Sequence, residues 1–142
     1  MRSGKRVTAS LTGLFAVLLS ASSFAEIAVI VHPSNNSAID STAINKIFMG
    51  KQKKFANGQI AIPMNAPKGS PLRDSFNKNV IGRSSSQVNA YWSKLVFTGQ
   101  ASMPKELSSD QEMVSTVAAN QGAIGYVDAA AVTGDVKVVG KF

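Results

Sequence analysis

The chain has 142 residues, a formal net charge of +7 and 44% hydrophobic residues, and it contains no cysteine. This composition is typical of a globular chain and not of a disordered one. The lack of cysteine excludes disulfides, zinc sites with sulfur ligands and thiol catalysis.

The first 25 residues have the pattern of a secretory signal peptide. An apolar run over residues 11–19 follows a basic start, and small residues stand at Ser23 and Ala25, the −3 and −1 positions of a cleavage site. The basic residues are Arg2, Lys5 and Arg6. The apolar run is shorter than the roughly 20 residues that span a bilayer, so an uncleaved membrane anchor is the less favoured alternative. We predict cleavage after Ala25, export to the periplasm, and no transmembrane segment in the mature chain.

The remaining residues, 26–142, fit one domain with a single core. Removal of the signal peptide takes away three of the 15 basic residues and leaves 12 against eight acidic residues, a net charge near +4. An exported domain without disulfides depends on its hydrophobic core. This favours a bacterial periplasmic protein over a small extracellular toxin.

Short apolar runs alternate with helical patterns along residues 26–142. Predicted strands cover residues 26–32, 60–64, 123–127 and 136–139. Predicted helices begin at caps provided by Asp40, Ser41 or Thr42, by Ser70, by Ser85 or Ser86, and by Ser109. Residues 100–108 are predicted as a loop, and residues 128–132 as a helical turn. The alternation predicts an α/β fold in which helices pack on a small sheet.

The helix after Ser85 or Ser86 has the strongest periodicity in the chain. Its apolar residues fall at i, i+3, i+4, i+7 and i+8, and they are Val88, Tyr91, Trp92, Leu95 and Val96. We predict that this stripe is core and not a ligand surface. In the next helix, Ser109 and Glu112 form the pattern of a capping box, and Gly122 is predicted to end that helix at C′.

Residues 65–76 have the layout of an anion site, in which a strand and a glycine-containing loop lead into a helix start. Ser70 suits the N-cap and Pro71 suits the first helical position. The free amides of the first turn and the helix dipole would face the loop, and Lys68 and Arg73 add positive charge. The alternative reading is an ordinary strand-to-helix turn with surface cations.

Three segments in order resemble the phosphate-receptor branch of the periplasmic solute-binding proteins of ABC transporters. That family has Ile-Phe-x-Gly at the end of a short helix, and this chain has it at residues 47–50. It has an Arg and then Gly-Ser-Gly-Thr at a helix start, followed by a Phe, to which residues 65–76 are similar with Gly69-Ser70 in place. It also has Ala-Ile-Gly-Tyr-Val on a late strand, as at residues 123–127. The resemblance extends over about residues 27–132. It implies a small mixed sheet flanked by helices, as in one lobe of a type II periplasmic binding protein.

The same resemblance implies that the chain binds phosphate or a related oxyanion for ABC-type uptake. The implied binding residues are Asn65, Lys68, Gly69, Ser70, Leu72 and Arg73. Two departures from the family pattern stand in this loop. Pro71 and Leu72 replace the Gly-Thr pair, which removes an amide donor and a hydroxyl, and the Arg that precedes the family's loop has no counterpart here. A complete receptor also has two lobes that close on the anion and is more than twice as long as this chain.

Other kinds of chemistry receive little support from the sequence. His32 is the only histidine, and without a nucleophile motif a structural hydrogen bond at the end of its strand is the favoured reading over a hydrolase triad. The basic run Lys51, Lys53 and Lys54 is read as a solvated loop, not as a nucleic-acid or lipid site. We therefore predict no enzyme activity, no catalytic residues, no metal, no cofactor and no nucleic-acid partner.

Two functions remain open from the sequence. The first is a one-lobe receptor for phosphate or another oxyanion, with an ABC permease or a second copy of the chain as partner. The second is a solute-binding lobe without a ligand that acts as a protein-interaction module. The loop over residues 65–72 separates the two, because its missing Arg, Gly and Thr favour the second, while Lys68, Ser70, Arg73 and the helix N-terminus favour the first.

Overall fold

The computed structural model describes residues 26–142, together with Gly4 and Gly13. The predicted signal peptide, apart from these two glycines, lies outside the described residues. Within the part of the chain that is described, no helix has the length and apolar character needed to cross a membrane.

Strands and helices alternate along residues 26–142, as the sequence predicts. The strands are β1 (Ile27–Val31), β2 (Ile62–Asn65), β3 (Lys105–Glu106), β4 (Ala123–Asp128) and β5 (Lys137–Lys141). The α-helices are α1 (Ser41–Phe48), α2 (Pro71–Phe76), α3 (Ser85–Phe97) and α4 (Asp110–Ala119). A π-helical turn over Asn77–Ile81 continues α2, and a 3-10 turn over Ala129–Ala131 follows β4.

The five strands form one mixed sheet in the order β3-β2-β4-β1-β5. β2 is parallel to both β3 and β4, while β1 is antiparallel to β4 and to β5. The predicted α/β class and the small mixed sheet are therefore confirmed. The three parallel strands point their carboxyl ends toward the same edge of the sheet, and this edge holds the loop that the sequence singles out.

Both faces of the sheet are buried under helices. In β1, Ile27, Val29 and Val31 pack into the cluster that contains α1 and α3, and Ala28 and Ile30 pack into the cluster that contains α4. All five residues of β1 are fully buried. A strand covered on both faces reads as a continuous apolar run and not as an alternation, which explains the pattern at residues 27–31.

Most of the predicted helix caps are confirmed. The side chains of Asp40, Ser70 and Ser109 accept the backbone N–H groups of the residues three positions later. The prediction for α3 is wrong by one residue, because its N-cap is Ser84. The side-chain oxygen of Gln87, three residues on, accepts the N–H of Ser84 at 3.1 Å and so completes a capping box there.

Two details around α4 also differ from the prediction. The Glu112 carboxylate accepts hydrogen bonds from the N–H and hydroxyl of Ser108, at 2.8 and 2.6 Å, and not from the N-cap residue Ser109. These bonds lower the pKa of Glu112. Gly122 does not end α4, since the helix is capped by Asn120 in an extended conformation. A Cβ at Gly122 would stand 2.5 Å from the carbonyl oxygen of Ile60, so a glycine is required there by close backbone contact.

The apolar stripe of α3 is only partly core. Val88 and Trp92 are buried, whereas Tyr91 and Leu95 are half-buried and Val96 is 45% exposed. The last turn of α3 is therefore largely exposed to solvent. The sequence assigns β3 to a loop, since Lys105 and Glu106 carry no apolar pattern.

Candidate functional site

The candidate site lies at the carboxyl ends of the three parallel strands. From this edge β2 leads into the loop over residues 66–70, β3 leads into residues 107–109 before α4, and β4 ends at Asp128. Ligands of open α/β sheets bind beyond the carboxyl ends of strands. The topology therefore places the stretch predicted from the sequence at the edge where a ligand is expected.

A tight turn connects β2 to α2. The N–H of Ser70 donates to the carbonyl of Pro67 at 3.0 Å, and Gly69 adopts a φ of +82°. A residue with a Cβ is strained at this φ, although the space around Gly69 is open. The turn exposes Lys68 and Gly69 to solvent and leaves Ser70 half-buried.

The start of α2 keeps few free donors. The Ser70 hydroxyl oxygen accepts the N–H of Arg73 at 3.3 Å, which leaves the hydroxyl hydrogen available to a ligand. Pro71 contributes no N–H. Within residues 26–142, no protein group accepts a hydrogen bond from the N–H groups of Gly69 and Leu72. The Leu72 side chain is half-buried and contributes only this amide to the polar surface.

Asn65 lies beneath the turn and is bonded inside the protein. The Tyr126 hydroxyl donates to the Asn65 side-chain oxygen at 3.0 Å and accepts the N–H of Ala66 at 3.1 Å. Tyr126 is fully buried, and its ring stacks on Phe76 with centroids 3.7 Å apart. Burial raises the pKa of Tyr126, so the phenol is neutral and acts as a rigid support for the start of the loop.

Arg73 also lies under the turn. Its side chain is 3% exposed, and its guanidinium donates to the Glu106 carboxylate at 2.5 Å and to the carbonyl of Ala66 at 3.3 Å. The ion pair neutralises the charge of Arg73 and connects α2 to β3 through the loop. Of the two cations predicted for the site, only Lys68 faces solvent without an acidic partner.

The opposite wall of the site is acidic. A cavity of about 160 Å³ separates Ser70 and Leu72 from the start of α4, where Asp110 is located. An adjoining cavity of about 340 Å³ shares these three residues and also reaches Asp128. The Asp110 carboxylate accepts the N–H of Asp128 at 3.3 Å. Burial raises the pKa of Asp110, the hydrogen bond from Asp128 opposes this, and the negative charge of Asp128 adds to it.

The site is positively charged at one end and negatively charged at the other. Lys68, Gly69 and Ser70 offer a charge and donors at the loop, whereas Asp110 and Asp128 repel an anion at the other end. Asp110 is not predicted from the sequence, because Ser109 and Glu112 account for the helix start without it. An acidic residue directly after the N-cap, in a helix that follows a parallel strand, was the available signal.

The other residues considered from the sequence lie outside this site. The predicted structural role of His32 is confirmed by its hydrogen bonding, because its Nδ1 contacts the Ser34 hydroxyl at 2.7 Å and accepts the Ser34 N–H at 3.1 Å. Among the described residues, no three His, Asp or Glu side chains lie close enough together to hold a metal ion.

Comparison of the fold with solved structures gives consistent neighbours. The chain is similar to an ABC-type phosphate transport receptor from Vibrio cholerae, with a TM-score of 0.63 and 18% identity over 81% of this chain and 46% of the receptor. It is also similar to a candidate phosphate ABC transporter substrate-binding protein from Clostridium perfringens, solved with bound phosphate. That match has a TM-score of 0.64 and 22% identity over 81% of this chain and 45% of the other. A third neighbour is PstS from Borrelia burgdorferi, with a TM-score of 0.52 and 17% identity over 72% of this chain and 41% of PstS.

No family model matches the chain, and no curated protein matches it at a significant level. The chain spans less than half the length of the structures it matches. At these identities the likeness concerns the fold, and it confirms at that level the resemblance expected from the three sequence motifs. The described chain has the fold of one lobe of a periplasmic binding protein of the phosphate-receptor type.

Proposed function

We propose that the chain is an exported one-lobe solute-binding protein that binds phosphate or a related oxyanion weakly, in the service of ABC-type uptake. In this proposal residues 1–25 are a signal peptide, residues 26–142 are a single periplasmic domain, and the domain binds and does not catalyse. The observation that carries the proposal is the turn formed by Lys68, Gly69 and Ser70. It presents a cation and hydrogen-bond donors to solvent at the carboxyl ends of three parallel strands.

The six residues predicted from the sequence take different parts in this site. Lys68, Gly69, Ser70 and the Leu72 amide are the direct donors. Asn65 and Arg73 support the loop from below, because their polar atoms are bonded to Tyr126, Ala66 and Glu106. The proposed site therefore consists of Asn65, Lys68, Gly69, Ser70, Leu72 and Arg73.

The free energies of individual hydrogen bonds set the expected affinity for phosphate. A charge-assisted hydrogen bond contributes roughly 1.5–3 kcal/mol net, and micromolar binding needs about 8 kcal/mol after the costs of association. Two or three such donors in an open half-site, opposed by Asp110 and Asp128, reach about millimolar affinity. One such lobe by itself is thus a weak receptor.

Calorimetric titration of the mature protein with phosphate, at two protein concentrations and at low salt, tests the proposal. We expect weak binding that falls with salt, with Lys68→Ala and with Ser70→Ala. Lys141→Ala removes the same charge from an exposed position on β5 and should leave affinity unchanged. Micromolar binding by a monomer, with an affinity that neither Lys68→Ala nor Ser70→Ala lowers, would place the site elsewhere. Tight binding seen only at high protein concentration would mean that a second copy completes the site.

A second candidate function is a ligand-free lobe that docks a partner protein. The observation that favours it is the exposed apolar end of α3, where Phe97 is 93% exposed and Val96 is 45% exposed. This function predicts no calorimetric response to phosphate at any protein concentration. It also predicts that Phe97→Ser weakens association with an ABC permease or with a second copy of the chain, as measured by sedimentation.

A further inference from the structure

A second cavity lies at the other end of the parallel strands, away from the loop over residues 65–73. Its volume is about 280 Å³, and it opens at the amino ends of β2 and β3 beside α3. Its apolar lining includes Ile47, Ile62, Pro63, Trp92, Met103 and Pro104. Trp92 is 3% exposed and contributes to the core, while Ile62 and Met103 are 43% and 46% exposed. The cavity therefore has a fixed aromatic floor and an accessible apolar rim.

The charged residues that line the cavity are all basic. Two lysines, Lys53 and Lys105, line it, and no acidic residue does. Their backbones are held in place, because the carbonyl of Lys53 accepts the N–H of Ala61 at 2.9 Å and Lys105 pairs with Met64 in the sheet. The charge of Lys105 also contributes to the lowered pKa of Glu112, an acid outside the cavity, and its pairing partner Met64 packs in the cluster that contains α4. Lys53 is therefore the main cation at the rim, and an apolar cavity with a cation at its rim complements an apolar anion.

The volume limits the size of that anion. Small-molecule sites usually enclose about 300–1,000 Å³, and an apolar cavity of about 150 Å³ holds benzene. A cavity of about 280 Å³ therefore accommodates one ring with a short acidic chain. Indole and thioether groups both favour an aromatic occupant, through edge-to-face contacts and sulfur–ring contacts.

We propose that this cavity is a binding site for a small monocarboxylate that carries a single aromatic ring. The ring packs against Trp92 and Met103, and the carboxylate pairs with Lys53 at the rim. This site is separate from the proposed oxyanion site and does not depend on it, because the two share no residue.

Trp92 is the only tryptophan of the chain, so its fluorescence reports on this cavity directly. The experiment titrates the mature protein with 3-phenylpropionate and, in parallel, with the neutral analogue 3-phenylpropan-1-ol. Ligand-observed NMR follows the same mixtures. We expect saturable binding of the carboxylate, several-fold tighter than binding of the alcohol, and no competition by inorganic phosphate at low millimolar concentration.

Substitution of Lys53 tests the role of charge. Lys53→Ala should weaken carboxylate binding by about two- to fivefold, as expected for one exposed ion pair, and should leave the alcohol unaffected. The control is Lys78→Ala, which removes the same charge outside the cavity and should change neither affinity. Equal affinities for the carboxylate and the alcohol, or no saturation by either method, would overturn the proposal. Displacement by equimolar phosphate would also overturn it, since it would place the probe in the oxyanion site.

Discussion

The Arg73 guanidinium on α2 contacts the Glu106 carboxylate on β3 at 2.5 Å, and Arg73 is almost completely buried. The same guanidinium donates to the carbonyl of Ala66. An arginine that the sequence places among the ligand donors is thus bonded to the scaffold on which the loop stands.

We predict that Arg73→Met destabilises the protein by about 1–3 kcal/mol. The change removes one charged and one backbone hydrogen bond, and the partially exposed Glu106 can be rehydrated in part. Urea denaturation measures the effect. Arg83→Met, at an exposed position, is the matched control and should stay within about 0.5 kcal/mol of the parent. Equal stability of the two variants, together with loss of phosphate binding in Arg73→Met only, would show that Arg73 acts as a direct ligand donor.

Tyr126→Phe should destabilise the protein by about 1–3 kcal/mol, because it leaves the buried Ala66 N–H and the Asn65 side-chain oxygen without their partner. Tyr91→Phe is the natural comparison. It removes one hydrogen bond, from the half-buried Tyr91 hydroxyl to the Met49 carbonyl, and should cost about 0.5–1.5 kcal/mol. Chemical denaturation measures the free energy of unfolding of both variants. If Tyr126→Phe is no less stable than Tyr91→Phe, the supporting role of the Tyr126 hydroxyl is contradicted.

Alkaline pH should lower the stability of the parent more than that of Tyr126→Phe. Burial raises the pKa of Tyr126 in the folded protein, whereas an unfolded tyrosine loses its proton near pH 10. Above about pH 10 the folded state therefore binds one more proton than the unfolded state, and stability falls as pH rises. The difference between parent and variant should change by about 1.4 kcal/mol per pH unit in this range. Parallel stability curves for the two proteins would show that Tyr126 titrates normally.

The fold was largely predictable because its signals are local. The apolar run of β1 and the caps at Asp40, Ser70 and Ser109 depend on neighbouring residues and appear in the structure as expected. β3 could not be predicted, since a two-residue strand arises from its pairing with β2 and not from its own sequence.

The site was less predictable because its charges are set by partners that are distant in sequence. The position of Arg73 in chain order indicates a cation near the loop, but its neutralisation comes from Glu106, 33 residues away. Tyr126 meets Asn65 across 61 residues. Local sequence can place a donor at a helix start, but only the packed structure shows whether that donor is already used.

The acidic wall of the proposed oxyanion site should oppose an anion held by the loop. Asp110 carries this negative charge, because it lines both cavities next to Ser70. We expect Asp110→Asn to increase the affinity for sulfate by about two- to fivefold at low salt, the range of one exposed charge–charge interaction, and the gain should shrink as salt screens it. Sulfate stays fully ionised in the acidic range, so its affinity for the parent should rise as pH falls through the raised pKa of Asp110 and the carboxylate takes up a proton. The Asn variant should lack this rise.

Asp135→Asn, at an exposed position outside both cavities, is the control and should behave as the parent. Calorimetric titrations of the three proteins at several pH values measure this directly. An identical pH dependence in the parent and in Asp110→Asn would show that the anion does not sense Asp110, and the proposed site would then have to lie away from the Ser70 end of α2.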